Sequence, residues 1–99
     1  MVYCFDFDGT LAITQGNDYP NSQPDRKAIE KVNKLFDTGH TIKIFTARGT
    51  TSGKDWYALT QKQIDEWGIK CHELIMGKPH SDCYIDDKGM NVKEWLAQN

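Results

Sequence analysis

The stretch VYCFDFDGTL, Val2 to Leu11, constrains the fold more than any other part of the chain. Val2 to Phe7 is rich in β-branched and aromatic residues, and the stretch turns at Gly9. Such a run predicts a short strand buried on both faces, as in a parallel sheet. Asp6 and Asp8 stand at its end. Side chains two residues apart on a strand point the same way, with Cα atoms about 6.6 Å apart. Gly9 lets the chain turn sharply, which favours Asp8 on a bend just outside the strand. A carboxylate on a buried strand costs several kcal/mol unless it is paired or bound to a cation, so the pair points to chemistry rather than packing.

The remaining elements follow from periodicity. Ala12 to Pro24 carries Gly16, Asn17, Asp18, Pro20, Asn21 and Ser22 without a period, which predicts a loop with room for a short hairpin. From about Pro24, apolar residues recur at Ile29, Val32, Leu35 and Phe36, one face of a helix that Gly39 stops. Thr41 to Phe45 predicts a strand ending near Thr46. Asp55 to Trp67 predicts a second helix ending before Gly68, with Trp56 and Trp67 expected to pack in the core along with Trp95. His72 to Met76 and Cys83 to Ile85 are expected strands, and Val92 to Gln98 is a helix that Asn91 and Glu94 cap. This order predicts an α/β fold: a three-layer sandwich around a mostly parallel central sheet, Rossmann-like.

With 99 residues, the chain is expected to form one domain over 1–99. Its net charge is -2 and it has no long run of like charge, so nucleic acid is not indicated. No apolar run approaches the roughly 20 residues of a membrane span, and the N-terminus lacks a secretory pattern, so the expected setting is the cytoplasm. Cys4, Cys71 and Cys83 are expected to be thiols. A zinc site from Cys71, His72, His80 and Cys83 is disfavoured because the spacing lacks a CxxC pair.

Polar residues without a packing reason fall at successive strand ends: Asp6 and Asp8, Thr46, Lys78, then Asp86 and Asp87. A parallel sheet gathers such positions into one crevice outside the carboxyl ends of its strands. Four carboxylates there would repel one another unless a cation sat among them, and hard oxygen ligands suit Mg²⁺. Asp87 alternatively caps or turns the following loop.

These residues resemble the motifs of the haloacid dehalogenase (HAD) superfamily of phosphotransferases over essentially the whole chain: DFDGT at Asp6 to Thr10, FTARG with Thr46, GKP with Lys78, and YIDD with Asp86 and Asp87. The resemblance implies a phosphatase in which Asp6 is the nucleophile and forms an aspartyl-phosphate. Asp8 would protonate the leaving oxygen and later take a proton from water, with a pKa above that of Asp6. Thr46 would donate to a phosphoryl oxygen, and Lys78 would bridge Asp6 and the phosphoryl group. Ala47 and Arg48 are expected beside the substrate, with a solvated Arg48 as the alternative. Mg²⁺ would be held by Asp6, the main-chain carbonyl of Asp8, Asp86 and, directly or through water, Asp87.

Neither gap between these motifs has room for a cap domain. The chain therefore resembles the capless subgroup, whose members leave the site open to large substrates or cover it with a neighbouring subunit, and a homo-oligomer is among the expectations. FTARG, WG, HELIMGKP and YIDDK resemble small capsule or lipopolysaccharide biosynthesis phosphatases, which points to a sugar phosphate as substrate. The loop from Ile13 to Ser22, with Tyr19, is the expected contributor to substrate choice. The alternatives are phosphoryl transfer to a non-water acceptor and a catalytically silent metal-binding or regulatory module.

Overall fold

The computed structural model describes residues 1–98. In chain order the elements are β1 (Val2–Asp6), β2 (Ala12–Ile13), a 3₁₀ turn (Tyr19–Asn21), β3 (Gln23–Pro24), α1 (Arg26–Asp37), β4 (Thr41–Thr46), α2 (Tyr57–Glu66), β5 (Glu73–Met76) and α3 (Val92–Ala97). β1, β4 and β5 form a parallel sheet in that order, flanked by helices in a Rossmann-like α/β sandwich. This is the class that alternating strand and helix patterns predict.

α1 forms where the period places Ile29 and Val32 inward, and both are buried with Ala28. The Asp25 carboxylate caps its first turn, accepting from the Ala28 N–H at 3.2 Å. At the other end the Gly39 N–H reaches the Phe36 carbonyl and the His40 N–H that of Leu35, which ends the helix at the expected glycine. Asp25→Ala should lower stability by about 1 kcal/mol in urea denaturation, because it strips the cap without touching the core.

β4 alternates as a half-buried strand should: Ile42, Ile44 and Thr46 are buried, while Thr41, Lys43 and Phe45 are only partly so. β1 departs from expectation. Tyr3 and Phe5 face the helices, but Val2 and Cys4 are exposed, so only one face of β1 is buried. Buried side chains of the helices gather in one cluster with Phe5, Ile42 and Ile44, while Val2 and Cys4 point away from it. Lys43 and Glu73 pair across the other face at 3.6 Å. An apolar run cannot report which of its faces a later element will cover.

Three aromatic contacts tie the outer pieces down. Phe7 lies parallel to Trp67 with ring centres 5.7 Å apart, and Phe5 meets Trp95 of α3 at 4.9 Å. The Lys31 ammonium sits 4.5 Å over the Trp95 ring and donates to the carbonyls of Trp95 and Gln98. Asn91 caps α3 as expected, accepting from the Lys93 N–H at 2.9 Å.

The hairpin in the first loop is present: Ala12 pairs with Pro24 and Ile13 with Gln23, antiparallel. The strand expected at Cys83–Ile85 is absent. Ser81 to Met90 is exposed throughout, with Ile85 92% exposed. Its hydrogen bonds are local, from the Ser81 hydroxyl to the Cys83 carbonyl and from the Tyr84 hydroxyl to the Pro79 carbonyl. A strand needs a neighbour's edge, and among the described residues this segment pairs with none. Among the described residues, no helix is long and apolar enough to cross a membrane.

Candidate active site

The parallel register brings three strand ends together. Asp6 closes β1 opposite Phe45, Thr46 closes β4 opposite Met76, and the Lys78 N–H continues the pairing to the Thr46 carbonyl at 3.0 Å. Lys78 is thereby aimed at β1 across β4. Its ammonium stands 3.6 Å from Asp6 Oδ1, with the Phe45 and Tyr84 rings 4.3 and 4.2 Å away. Two aromatic faces hold the cation beside the Asp6 carboxyl group without supplying a competing anion.

Asp6 Oδ1 also accepts from the Phe7 N–H at 2.9 Å. Burial nonetheless raises the Asp6 carboxyl above its ordinary value, against the opposing pull of Lys78 and the Phe7 N–H, and the nearby Asp8 charge adds to the rise. A carboxylate so placed is partly desolvated and open to the crevice, an arrangement compatible with nucleophilic chemistry.

After Asp6 the chain folds back on itself: the N–H groups of Thr10, Leu11 and Ala12 all point to the Phe7 carbonyl, and Gly9 takes φ 86°. Asp8 therefore lies on the bend, as expected. Its Oδ1 accepts from the Thr14 hydroxyl at 2.6 Å and from Arg48 Nη2 at 2.8 Å, and its Oδ2 accepts from Arg48 Nε at 2.9 Å. These three donors fix the position of the Asp8 carboxyl group.

A crevice of about 660 Å³ opens over these groups, within the usual range for a small-molecule site. Asp6, Asp8, Ala47 and Lys78 line its floor, and Tyr19, Trp56 and Tyr84 contribute aromatic walls. Trp56 thus departs from its expected place in the core. It begins α2 rather than lying within it, and its ring meets Tyr19 edge-on at 5.0 Å. Thr46 is buried, with its hydroxyl oxygen accepting from the Arg48 N–H at 3.1 Å, and it does not line the crevice.

The expected acidic quartet does not assemble. Asp86 and Asp87 are exposed and line no part of the crevice. Asp86 closes a local turn instead, accepting from the N–H groups of Lys88 at 2.7 Å and Gly89 at 2.5 Å, which hold its carboxyl below the usual value. With no strand at Cys83–Ile85, nothing carries the pair to the mouth of the sheet. Among the described residues, no three His, Cys, Asp or Glu side chains converge on one point.

The polar residues that sequence reasoning missed are those around Arg48: Thr14, Ser22, Thr60 and Gln63. One signal was available. Thr60 and Gln63 share the inner face of α2 with Ile64, and polar side chains on a buried face need partners.

The crystal structure of a target protein from Vibrio cholerae shares this fold, with a TM-score of 0.89 and 27% identity over 99% of this chain and 89% of the other. A chain of the Pnkp1/Rnl/Hen1 complex is similar with a TM-score of 0.60 and 20% identity, covering 87% of this chain and 30% of that one. No protein-family model matches the chain, and no curated protein does.

Proposed function

We propose that the chain is a capless phosphatase of the HAD superfamily that hydrolyses a phosphate monoester through an aspartyl-phosphate on Asp6. The observation that carries this reading is the placement of Asp6 and Lys78 at 3.6 Å over a crevice at the strand ends. In the first step an Asp6 oxygen bonds to phosphorus in line as the ester P–O bond breaks, and the leaving oxygen takes its proton from the Asp8 carboxyl group. In the second, water attacks the same phosphorus, the acyl-phosphate P–O bond breaks, and inorganic phosphate leaves with Asp6 regenerated. Lys78 offsets the charge that gathers on the phosphoryl oxygens. Asp8, gripped by Arg48, then takes a proton back from the attacking water, which restores it for the next cycle.

The aromatic faces of Tyr19 and Trp56 beside the floor suit the apolar face of a sugar ring, in keeping with a sugar phosphate substrate. A neighbouring copy covering the open crevice is the homo-oligomer that the capless pattern implies, and light scattering on the purified protein tests it. The three cysteines are free thiols, which suits a cytoplasmic setting.

The test is hydrolysis of p-nitrophenyl phosphate and a panel of sugar phosphates. It is run with and without Mg²⁺, because the resemblance implies that ion while Asp86 and Asp87 stand apart from Asp6 and Asp8. Absence of turnover on every ester, with or without the ion, overturns the reading. Lys78→Met should lower kcat by about 10²-fold, the usual cost of removing one preorganised charge from a transition state.

A further inference from the structure

Arg48 follows β4 by two residues, where sequence reasoning places a substrate contact. Its surroundings give it another task. The side chain is fully buried, although it carries a permanent charge. An arginine has five N–H donors, and here each one has a protein acceptor within reach. Nε donates to Asp8 Oδ2 at 2.9 Å, and Nη2 donates to Asp8 Oδ1 at 2.8 Å and the Ser22 hydroxyl at 3.3 Å. Nη1 donates to the Gln63 side-chain carbonyl at 2.7 Å and the Thr60 hydroxyl at 3.1 Å.

The faces of the guanidinium are occupied as well, by the Phe7 and Tyr19 rings at 4.6 Å each. No donor and neither ring-contacting face is left for a phosphate. What Arg48 does reach is both oxygens of Asp8, in the parallel two-bond geometry that fixes a carboxylate's position and its plane together. The other three bonds run to the 14–22 loop and to α2, so the orientation of Asp8 is set by segments that also wall the crevice.

We propose that Arg48 is a positioning residue: it holds the Asp8 carboxylate in one orientation at the crevice floor and acts on turnover through Asp8, not through substrate. This rests on the reading of Asp8 as the proton-handling group of a phosphatase. The test is a double-mutant cycle of Arg48→Ala and Asp8→Asn, assayed on p-nitrophenyl phosphate. Arg48→Ala should lower kcat by about 10²-fold, the scale of a lost general acid or base, with KM little changed. In the Asp8→Asn background the same change should cost almost nothing further, because the group it acts through is already gone.

Millimolar guanidinium should restore at least part of kcat to Arg48→Ala and none to the double variant. A merely structural role would not produce that pattern. If Arg48→Ala does not fold, Arg48→Lys carries the same cycle, since it keeps the buried charge and loses the two-bond grip. A raised KM at unchanged kcat, or an equal loss in both backgrounds, overturns the proposal. Asp8→Asn with wild-type turnover overturns instead the reading of Asp8 on which it rests.

Discussion

Asp6→Asn is expected to remove phosphatase turnover by at least about 10³-fold while making the protein more stable at neutral pH. The first effect follows from chemistry: a carboxamide cannot form the aspartyl-phosphate, and neither Asp8, gripped by Arg48, nor Lys78, a cation, can replace it. The second follows from linkage. Burial holds the Asp6 carboxyl above its ordinary value of 3.8, so the native chain binds that proton more tightly than the unfolded chain does. The stability that Asp6 contributes is then complete below about pH 4 and is lost as pH rises through the raised native value.

Asparagine carries no charge at any of these pH values and can still accept from the Phe7 N–H. Calorimetry should therefore show a higher Tm for Asp6→Asn at pH 7, and a gap that closes as the pH falls toward 4. A variant less stable than wild type at pH 7 would mean that the Lys78 attraction outweighs burial. Together the two effects would mark Asp6 as a residue kept for its reactivity at a cost to the fold.

Gly49→Ala should cause the largest loss of stability of any single methyl addition to the crevice wall. Gly49 takes φ 80°, where a side chain is strained. A Cβ there would overlap the Lys54 carbonyl oxygen and stand 3.2 Å from the Trp56 ring. Backbone cannot step aside as a side-chain tip can, so strain and overlap should together lower stability by about 3 kcal/mol or more in urea denaturation. Gly53→Ala, where the added methyl would meet nothing within 4 Å, serves as the control, with an expected loss of about 1 kcal/mol. Equal losses at the two positions would show that the 49–54 loop is free to move, and that the wall carrying Trp56 is not fixed by it.

Much of the fold is legible in local pattern. The period of Ile29, Val32, Leu35 and Phe36 sets the inner face of α1, and Asp25 and Gly39 bound it by cap chemistry that depends on a few neighbouring residues. β4 shows its alternation directly. The errors share a cause. Val2 and Cys4 were expected to be buried because an apolar run looks the same whether one face or both are covered. Cys83 to Ile85 has a strand's composition, but a strand exists only against an edge, and composition does not name a partner.

For the candidate site, the sequence by itself determined which residues stand at strand ends: Asp6 closing β1 with Asp8 just beyond it, Thr46 closing β4 and Lys78 after β5 all follow from where periodic segments stop. The tertiary structure alone decided what those residues meet. Lys78 reaches Asp6 because β4 lies between β1 and β5, Asp86 and Asp87 stay away because no strand delivers them, and Arg48 is consumed by acceptors 12 to 40 residues distant in the chain. The physical reason is that element boundaries are set by bonds and packing within a few residues, whereas the partners of a buried charge come from segments that only the folded chain brings together.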